Sequence, residues 1–223
     1  VIDAIFVPRG AEARAVRGAA TRAGSSVRVI ETSFGPVAAG AAAEGALREN
    51  GTLEAALITG VCGLLSPAFA AGETLVYAEL LAEGVAPLVL DRTLAEALGT
   101  FLPGAQTGIR AVASERIVTS ADAKRDLFTR TSAEAVDMET YAVAERLAAA
   151  GVTVGALRTA SDAAGDGLPD MAGALGPEGL DRLALAGAML RDPRAAIRLI
   201  GGGLRALGAL GRSVEAVLRG AAA

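Results

Sequence analysis

Not one histidine occurs among the 223 residues. Imidazole acid/base catalysis, Ser-His-Asp triads and histidine-bound metal sites are thereby excluded, and proton transfer falls mainly to carboxylates, lysine, tyrosine or cysteine. A single cysteine, Cys62, rules out an internal disulfide and fits a reducing compartment. Aromatic residues amount to only 3%, although 52% of the chain is hydrophobic. Small side chains must therefore fill much of the core, which suits close packing of helix on sheet. An excess of positive charge is also missing: the net charge is −4, which gives no electrostatic case for nucleic acid. No apolar run is long and unbroken enough for a membrane span, and the first residues read as a strand rather than a signal peptide.

What is present is an alternation of apolar strands with Ala-rich helices, in a length that suits one substantial α/β domain. The pattern predicts strands at Ala4–Val7, Val27–Glu31, Glu54–Ile58, Glu73–Glu79, Val85–Leu90, Thr107–Val112 and Val152–Leu157. Helices are predicted at Ala11–Ala23, Val37–Glu49, Arg92–Leu98, Ala121–Thr129 and Thr140–Ala150. Pro36 suits the first position of the second helix, and Ser120 suits the cap of the fourth. From Gly176 onward the pattern is helical, with breaks near Asp192-Pro193 and at Gly201-Gly202-Gly203. Neither an internal repeat nor a domain boundary is visible, so residues 1–223 are read as one domain, with 176–223 a helical C-terminal extension.

Two stretches carry candidate chemistry: Ala135-Val136-Asp137-Met138-Glu139-Thr140 and Arg158-Thr159-Ala160-Ser161-Asp162. Each places a carboxylate where an apolar strand gives way to something else, and a strand end is a rigid place to hold a reacting group. One βαβ-like unit would bring Glu139 and Asp162 to the same rim. The alternative is that these acids merely cap helices. Glu12 lies in the first turn of the first helix, which suits the helix dipole; it also stands at the end of the first strand, where a general base would be.

Thr59-Gly60-Val61-Cys62-Gly63 reads as a Gly-rich turn after a strand, able to approach a ligand closely or hold an anion. Its spacing is neither a Walker loop nor a dinucleotide fingerprint, so tight strand-turn packing explains it as well. Ile117 and Val118 are candidate pocket walls, with a core role the simpler alternative. Ala163 to Asp170 reads as a Gly-containing loop and a candidate lid. Arginines 191, 194, 198, 205, 212 and 219 give the tail a basic character. Two readings remain: a solvated face of helices packed on the sheet, or a surface that meets anionic lipid or a partner.

The order and separation of Val136-Asp137-Met138-Glu139, Arg158-Thr159-Ala160-Ser161-Asp162, the 59–63 stretch and Glu12 resemble the nucleoside phosphorylase/nucleosidase superfamily over roughly residues 1–165. That resemblance implies a three-layer α/β sandwich, a central mixed β-sheet flanked by helices. It implies that Glu139 binds the ribose hydroxyls with Met138 against the sugar, and that Asp162 serves N7 of a departing purine as an acid. It implies further that Glu12 activates the attacking water, that Gly63 and Ser161 adjoin the substrate, and that Ile117 or Val118 lies by the base. Family phosphorylases carry an Arg before the Gly stretch and a Ser or Thr within it; here Ile58 and Val61 stand there, which favours water over phosphate. Arg9 keeps phosphate open as a co-substrate. No cofactor or metal is implied.

The 167–170 stretch, the Gly176–Gly179 turn, the Arg191-Asp192-Pro193 break, Asp91 and the Lys124 helix resemble the hopanoid branch of the superfamily, although Tyr141 stands where that branch has His. The substrate implied is adenosylhopane, a nucleoside-lipid losing adenine. Alternatives are a methylthioadenosine/adenosylhomocysteine or futalosine nucleosidase, a phosphate-using purine nucleoside phosphorylase, or a non-catalytic nucleoside-binding protein. The resemblance implies a homo-oligomer in the cytoplasm, with the C-terminal helices a candidate peripheral contact with the inner membrane.

Overall fold

The computed structural model describes residues 1–49, 53–169, 175–176, 179–180, 187 and 189–221. The first strand, β1 (Ala4–Pro8), is buried along its whole length. Its unbroken apolar run marks a central strand covered on both faces. It pairs in parallel with β2 (Arg28–Thr32) on one side and β3 (Ala55–Leu64) on the other. Between β1 and β2 runs α1 (Ala11–Ala23), closed by Gly24 at φ 64°, whose N–H reaches the carbonyls of Ala20 and Thr21. Between β2 and β3 runs α2 (Pro36–Glu49).

The chain continues through β4 (Thr74–Leu81), β5 (Leu88–Val89), α3 (Arg92–Phe101), β6 (Gln106–Ala113), α4 (Ala121–Thr131), β7 (Ala135–Asp137), α5 (Thr140–Ala149) and β8 (Thr153–Asp162). A two-stranded hairpin, β9 (Leu175–Gly176) with β10 (Gly179–Leu180), precedes the long terminal helix α6 (Pro193–Gly220). Asp91, Ser120 and Asp192 cap α3, α4 and α6, each accepting from a backbone N–H three residues on.

Among the described residues, eight strands form one mixed sheet, and β3 is its hub. It pairs in parallel with β1 and β8, and antiparallel with β7 near its end. β8 pairs with β4, β4 with β6, and β6 with β7, so five strands close a ring through β3. Alternate residues serve opposite faces: Ile58 packs with Ala39 and Ala43 of α2 and Val143 and Leu147 of α5. Leu57 packs with Val16 of α1 and Leu210 and Val214 of α6. This is the expected three-layer arrangement of a mixed sheet between helices. Among the described residues, no helix is long and apolar enough to cross a membrane.

Four local expectations are corrected. The 59–63 stretch is not a turn; β3 runs through it to Leu64, held by its pairing with β8. β7 and β8 do not pair with each other as a βαβ unit would; both pair with β3, which brings their ends together by another route. α6 continues unbroken through Gly201–Gly203, and the segment from Gly176 is not helical throughout, since Gly179–Leu180 is a strand. The strand expected at Val85–Leu90 shrinks to Leu88–Val89. Asp170, Pro177 and Glu178, which figure in the sequence resemblance, lie outside the described residues.

Candidate active site

Asp137, at the end of β7, settles which acid serves α5. Its Oδ1 accepts the backbone N–H groups of Glu139 (3.1 Å) and Thr140 (2.9 Å), and its Oδ2 accepts the Thr140 hydroxyl (2.6 Å). Aspartate suits this role because its short side chain reaches backbone donors two and three residues on. Glu139 makes no side-chain cap. Its Oε1 instead accepts the N–H of Gly35, 3.1 Å away in the β2–α2 connection. Glu139 is buried, yet its carboxylate is not consumed by its own helix.

Arg158 stands at the centre of this cluster, wholly buried on β8. Its Nε and Nη2 donate to the Thr140 hydroxyl (3.0 and 2.7 Å), its Nη1 donates to the Val61 carbonyl (3.3 Å), and Nε lies 3.6 Å from Asp137 Oδ2. Burial works against its charge, but Asp137 foremost, with Glu139 and Glu12 adding, holds it protonated well above the usual range. Glu12 turns inward from α1, its Oε1 accepting the Val61 N–H at 2.7 Å. Burial pushes its pKa up to about 7, against the pull of Arg158 and of that hydrogen bond, while Glu139 and Asp137 push further. Glu139 is raised as well, by burial first and with Arg158 opposing.

Gly60 makes the convergence of Glu12 and Arg158 possible. A Cβ there would lie 2.4 Å from Arg158 Nη1 and 2.7 Å from Glu12 Oε1, and φ is +146°. Glycine admits both the backbone conformation and the approach. Glu12 thus keeps its place in the first turn of α1, but its carboxylate is engaged by β3 rather than standing free at the helix end.

Asp162 ends β8, where the pairing with β3 slips: Cys62 faces Ala160 while Gly63 faces Asp162, leaving Ser161 as a bulge. Bulges at strand ends re-aim side chains. Ser161 donates to the Cys62 carbonyl (3.1 Å) and to Asp162 Oδ1. Asp162 is buried and paired with Lys124, not with Arg158. The ammonium of Lys124 is itself buried, and it also donates to the carbonyls of Ala163 (2.8 Å) and Asp166 (3.2 Å). Among the described residues Asp162 caps no helix; the following turn is held by Asp166, whose Oδ2 accepts the Ala163 N–H at 2.9 Å. A Cβ on Gly63 would be 3.2 Å from Asp162 Oδ2 and 3.3 Å from Val136, so Gly63 adjoins the acid.

The residues singled out in the sequence therefore gather along one short piece of β3. Glu12 sits at Gly60–Val61, and Asp162 sits at Gly63 with Ser161. Gly63 pairs with Val136 of β7, the strand that leads to the half-buried Met138 and to Glu139. Ile117 and Val118 are half-buried, and Val118 packs on the Leu65–Val112–Val136 cluster. They border the same region because Leu168 N–H donates to the Thr119 carbonyl at 2.7 Å, laying the loop after Asp162 against their segment. Val118 also lines an open cavity of about 870 Å³, with Pro36 and Tyr141 on its wall. Ile58 is sequestered in the core, and Arg9 is tied to Ser33 on the exposed rim.

Sequence reasoning missed the Lys124–Asp162 pair and the capping role of Asp137. A signal for Lys124 existed: it shares a face with Leu127 and Phe128, three and four residues on, and that face turns inward.

Residues 3–184 match the family profile described as the phosphorylase superfamily. A search of curated proteins finds no match. Among solved structures, a 5′-methylthioadenosine/S-adenosylhomocysteine nucleosidase from Neisseria meningitidis, in complex with methylthio-immucillin-A, is 17% identical, with 97% of each chain covered and a TM-score of 0.74. A futalosine hydrolase of Helicobacter pylori is 15% identical over 96% of this chain and 95% of its own, with a TM-score of 0.73. A Streptococcus pneumoniae MTA/SAH nucleosidase bound to 8-aminoadenine is 15% identical, with 98% and 99% covered and a TM-score of 0.75. At these identities the likeness establishes the fold.

Proposed function

The chain belongs to the phosphorylase superfamily, and from that premise we propose that it is a purine nucleosidase, hydrolysing the N-glycosidic bond of a 5′-modified adenosine. The observation that carries this reading is the release of Glu139 from capping duty by Asp137, which leaves a buried carboxylate beside two others at the Gly60–Gly63 strand.

Hydrolysis breaks the C1′–N9 bond, develops positive charge on the sugar and leaves electrons on the base. Glu139 and Met138 hold the ribose, the carboxylate accepting from its hydroxyls and favouring the oxocarbenium-like charge. Asp162 takes a proton from the buried Lys124 ammonium as it passes one to N7, so that neutral adenine departs and Lys124 is left neutral until water reprotonates it. Ionised Glu12 takes a proton from the water that attacks C1′. A value near 7 suits a group that must both accept and return a proton at neutral pH. Ile117 and Val118 flank the base.

Water is favoured over phosphate because Ile58 is buried in the core and Arg158 is already engaged by carboxylates. The exposed Arg9 beside Ser33 supports phosphorolysis as the second reading. The finer proposal for the 5′ group is a large apolar one, adenosylhopane being the named candidate, in the cytoplasm at the inner membrane's surface. Its support is the hopanoid-like C-terminal pattern and an exposed apolar face on α6. Purified protein incubated with adenosylhopane, methylthioadenosine, futalosine and inosine, with and without phosphate, is expected to release adenine from the preferred 5′-modified adenosine in either condition. No base from any of them sinks the nucleosidase reading; strict dependence on phosphate reverses the choice of nucleophile.

A further inference from the structure

The first half of α6 has two unlike sides. Ala195, Ala196, Gly202 and Ala206 are buried, whereas Ile197, Ile200 and Leu204 are 71%, 50% and 67% exposed. Spacings of three and four residues put those three on one stripe, and the exposed Leu190 lies just ahead of the helix. Single exposed aliphatics are ordinary; a row of them along one helix face marks a contact surface. Arg194, Arg198, Arg205 and Arg212 are exposed as well, and no acidic residue occurs between Asp192 and Glu215. At 100° per residue, these arginines fall on one side of the apolar stripe, between it and the buried face.

We propose that this face docks on an anionic bilayer surface, with Ile197, Ile200 and Leu204 entering the acyl boundary and Arg194, Arg205 and Arg212 lying among lipid phosphates. Charge decides against a second copy as the occupant. Pairing the stripe with its own mate would set arginines against arginines, with no acid on the stripe to answer them.

The opposite face of the same helix meets the candidate site. A Cβ on Gly202 would fall 2.0 Å from the Ser161 carbonyl, so the helix backbone rests on the residue before Asp162. Thr159 donates to the Ala206 carbonyl at 3.0 Å, and Arg198 Nη2 donates to the Gly167 carbonyl at 3.3 Å in the loop after Asp162. The thickness of one helix thus separates the docking face from the strand end that carries the acid. Delivery of a lipid-borne nucleoside to that site rests on the function proposed above; the docking does not.

The test is co-sedimentation of the full chain with vesicles of phosphatidylcholine alone, or mixed with phosphatidylglycerol, at low and high salt. The wild type is expected to bind the mixed vesicles at least tenfold better than the neutral ones, and to be released by salt. Replacing the stripe (Ile197→Ser, Ile200→Ser, Leu204→Ser) or its flank (Arg194→Gln, Arg205→Gln) should each lower binding about tenfold, with adenine release from soluble methylthioadenosine and the Tm unchanged. Failure to bind anionic vesicles, equal binding to neutral ones, or a stripe variant that binds like wild type overturns the proposal. A dimer in sedimentation velocity that the stripe variant abolishes, without vesicle binding, assigns the face to a second copy. Vesicle binding without base release would keep the docking and sink the nucleosidase reading, and the converse result would do the opposite.

Discussion

The two ends of the Gly60–Gly63 strand hold charge in opposite ways. At Gly60, one buried arginine is shared among Asp137, Glu12 and Glu139, so acid is in excess and burial raises the two glutamates. At Gly63, one aspartate meets one buried lysine, and the pair is balanced. An excess of carboxylate makes one member ready to hold a proton near neutral pH. A matched pair fixes its carboxylate in place and keeps a hydrogen-bonded proton source against it. The difference supports the proposed division of labour: proton acceptance at the Glu12 end and proton donation at the Asp162 end.

The largest expected effect falls on the donor end. Asp162→Asn should lower kcat about 10³-fold with little change in KM, measured by adenine release from whichever substrate is turned over. A loss confined to KM would break the division. The same end is sharpened by Lys124→Met, which leaves a buried carboxylate unpaired and should cost about 3–5 kcal/mol in chemical denaturation at neutral pH.

At the acceptor end, Gly60→Ala forces a Cβ between Arg158 and Glu12 in a strained backbone region, and should cost about 1–3 kcal/mol, read from a lowered Tm. The smallest effect is electrostatic. Glu12 binds its proton more tightly folded, at about 7, than its ordinary 4.5 allows. Its contribution to stability is therefore full below 4.5 and is lost as pH rises through about 7. Stability measured at pH ~8 and ~5 should differ less in Glu12→Gln than in the wild type, by roughly 1–2 kcal/mol after solvent screening.

Much of this arrangement was legible in the sequence. The limits of α1 follow from Gly10 and Gly24 on either side of an Ala-rich amphipathic run, and Pro36 opens α2 as expected. Glu12, Glu139 and Asp162 stand out in the sequence by their places at strand ends. The glycines misled, because local propensity signals a turn where tertiary contact requires space. Gly60 and Gly63 stay extended because β8 pairs alongside, and they are small because Glu12, Arg158 and Asp162 crowd against them. Gly202 lies within a continuous helix and is small because the Ser161 carbonyl lies against it. Whether Glu139 capped its helix was open in the sequence, since Asp137 and Glu139 stand two residues apart and only the fold shows which one turns back.

The central claim is that the two ends act together to hydrolyse a nucleoside. It is tested most directly by supplying adenosylhopane or methylthioadenosine in phosphate-free ¹⁸O-water and following both products by mass spectrometry. The account predicts free adenine and a sugar carrying one ¹⁸O at C1. No adenine, or adenine only when phosphate is added, would contradict it.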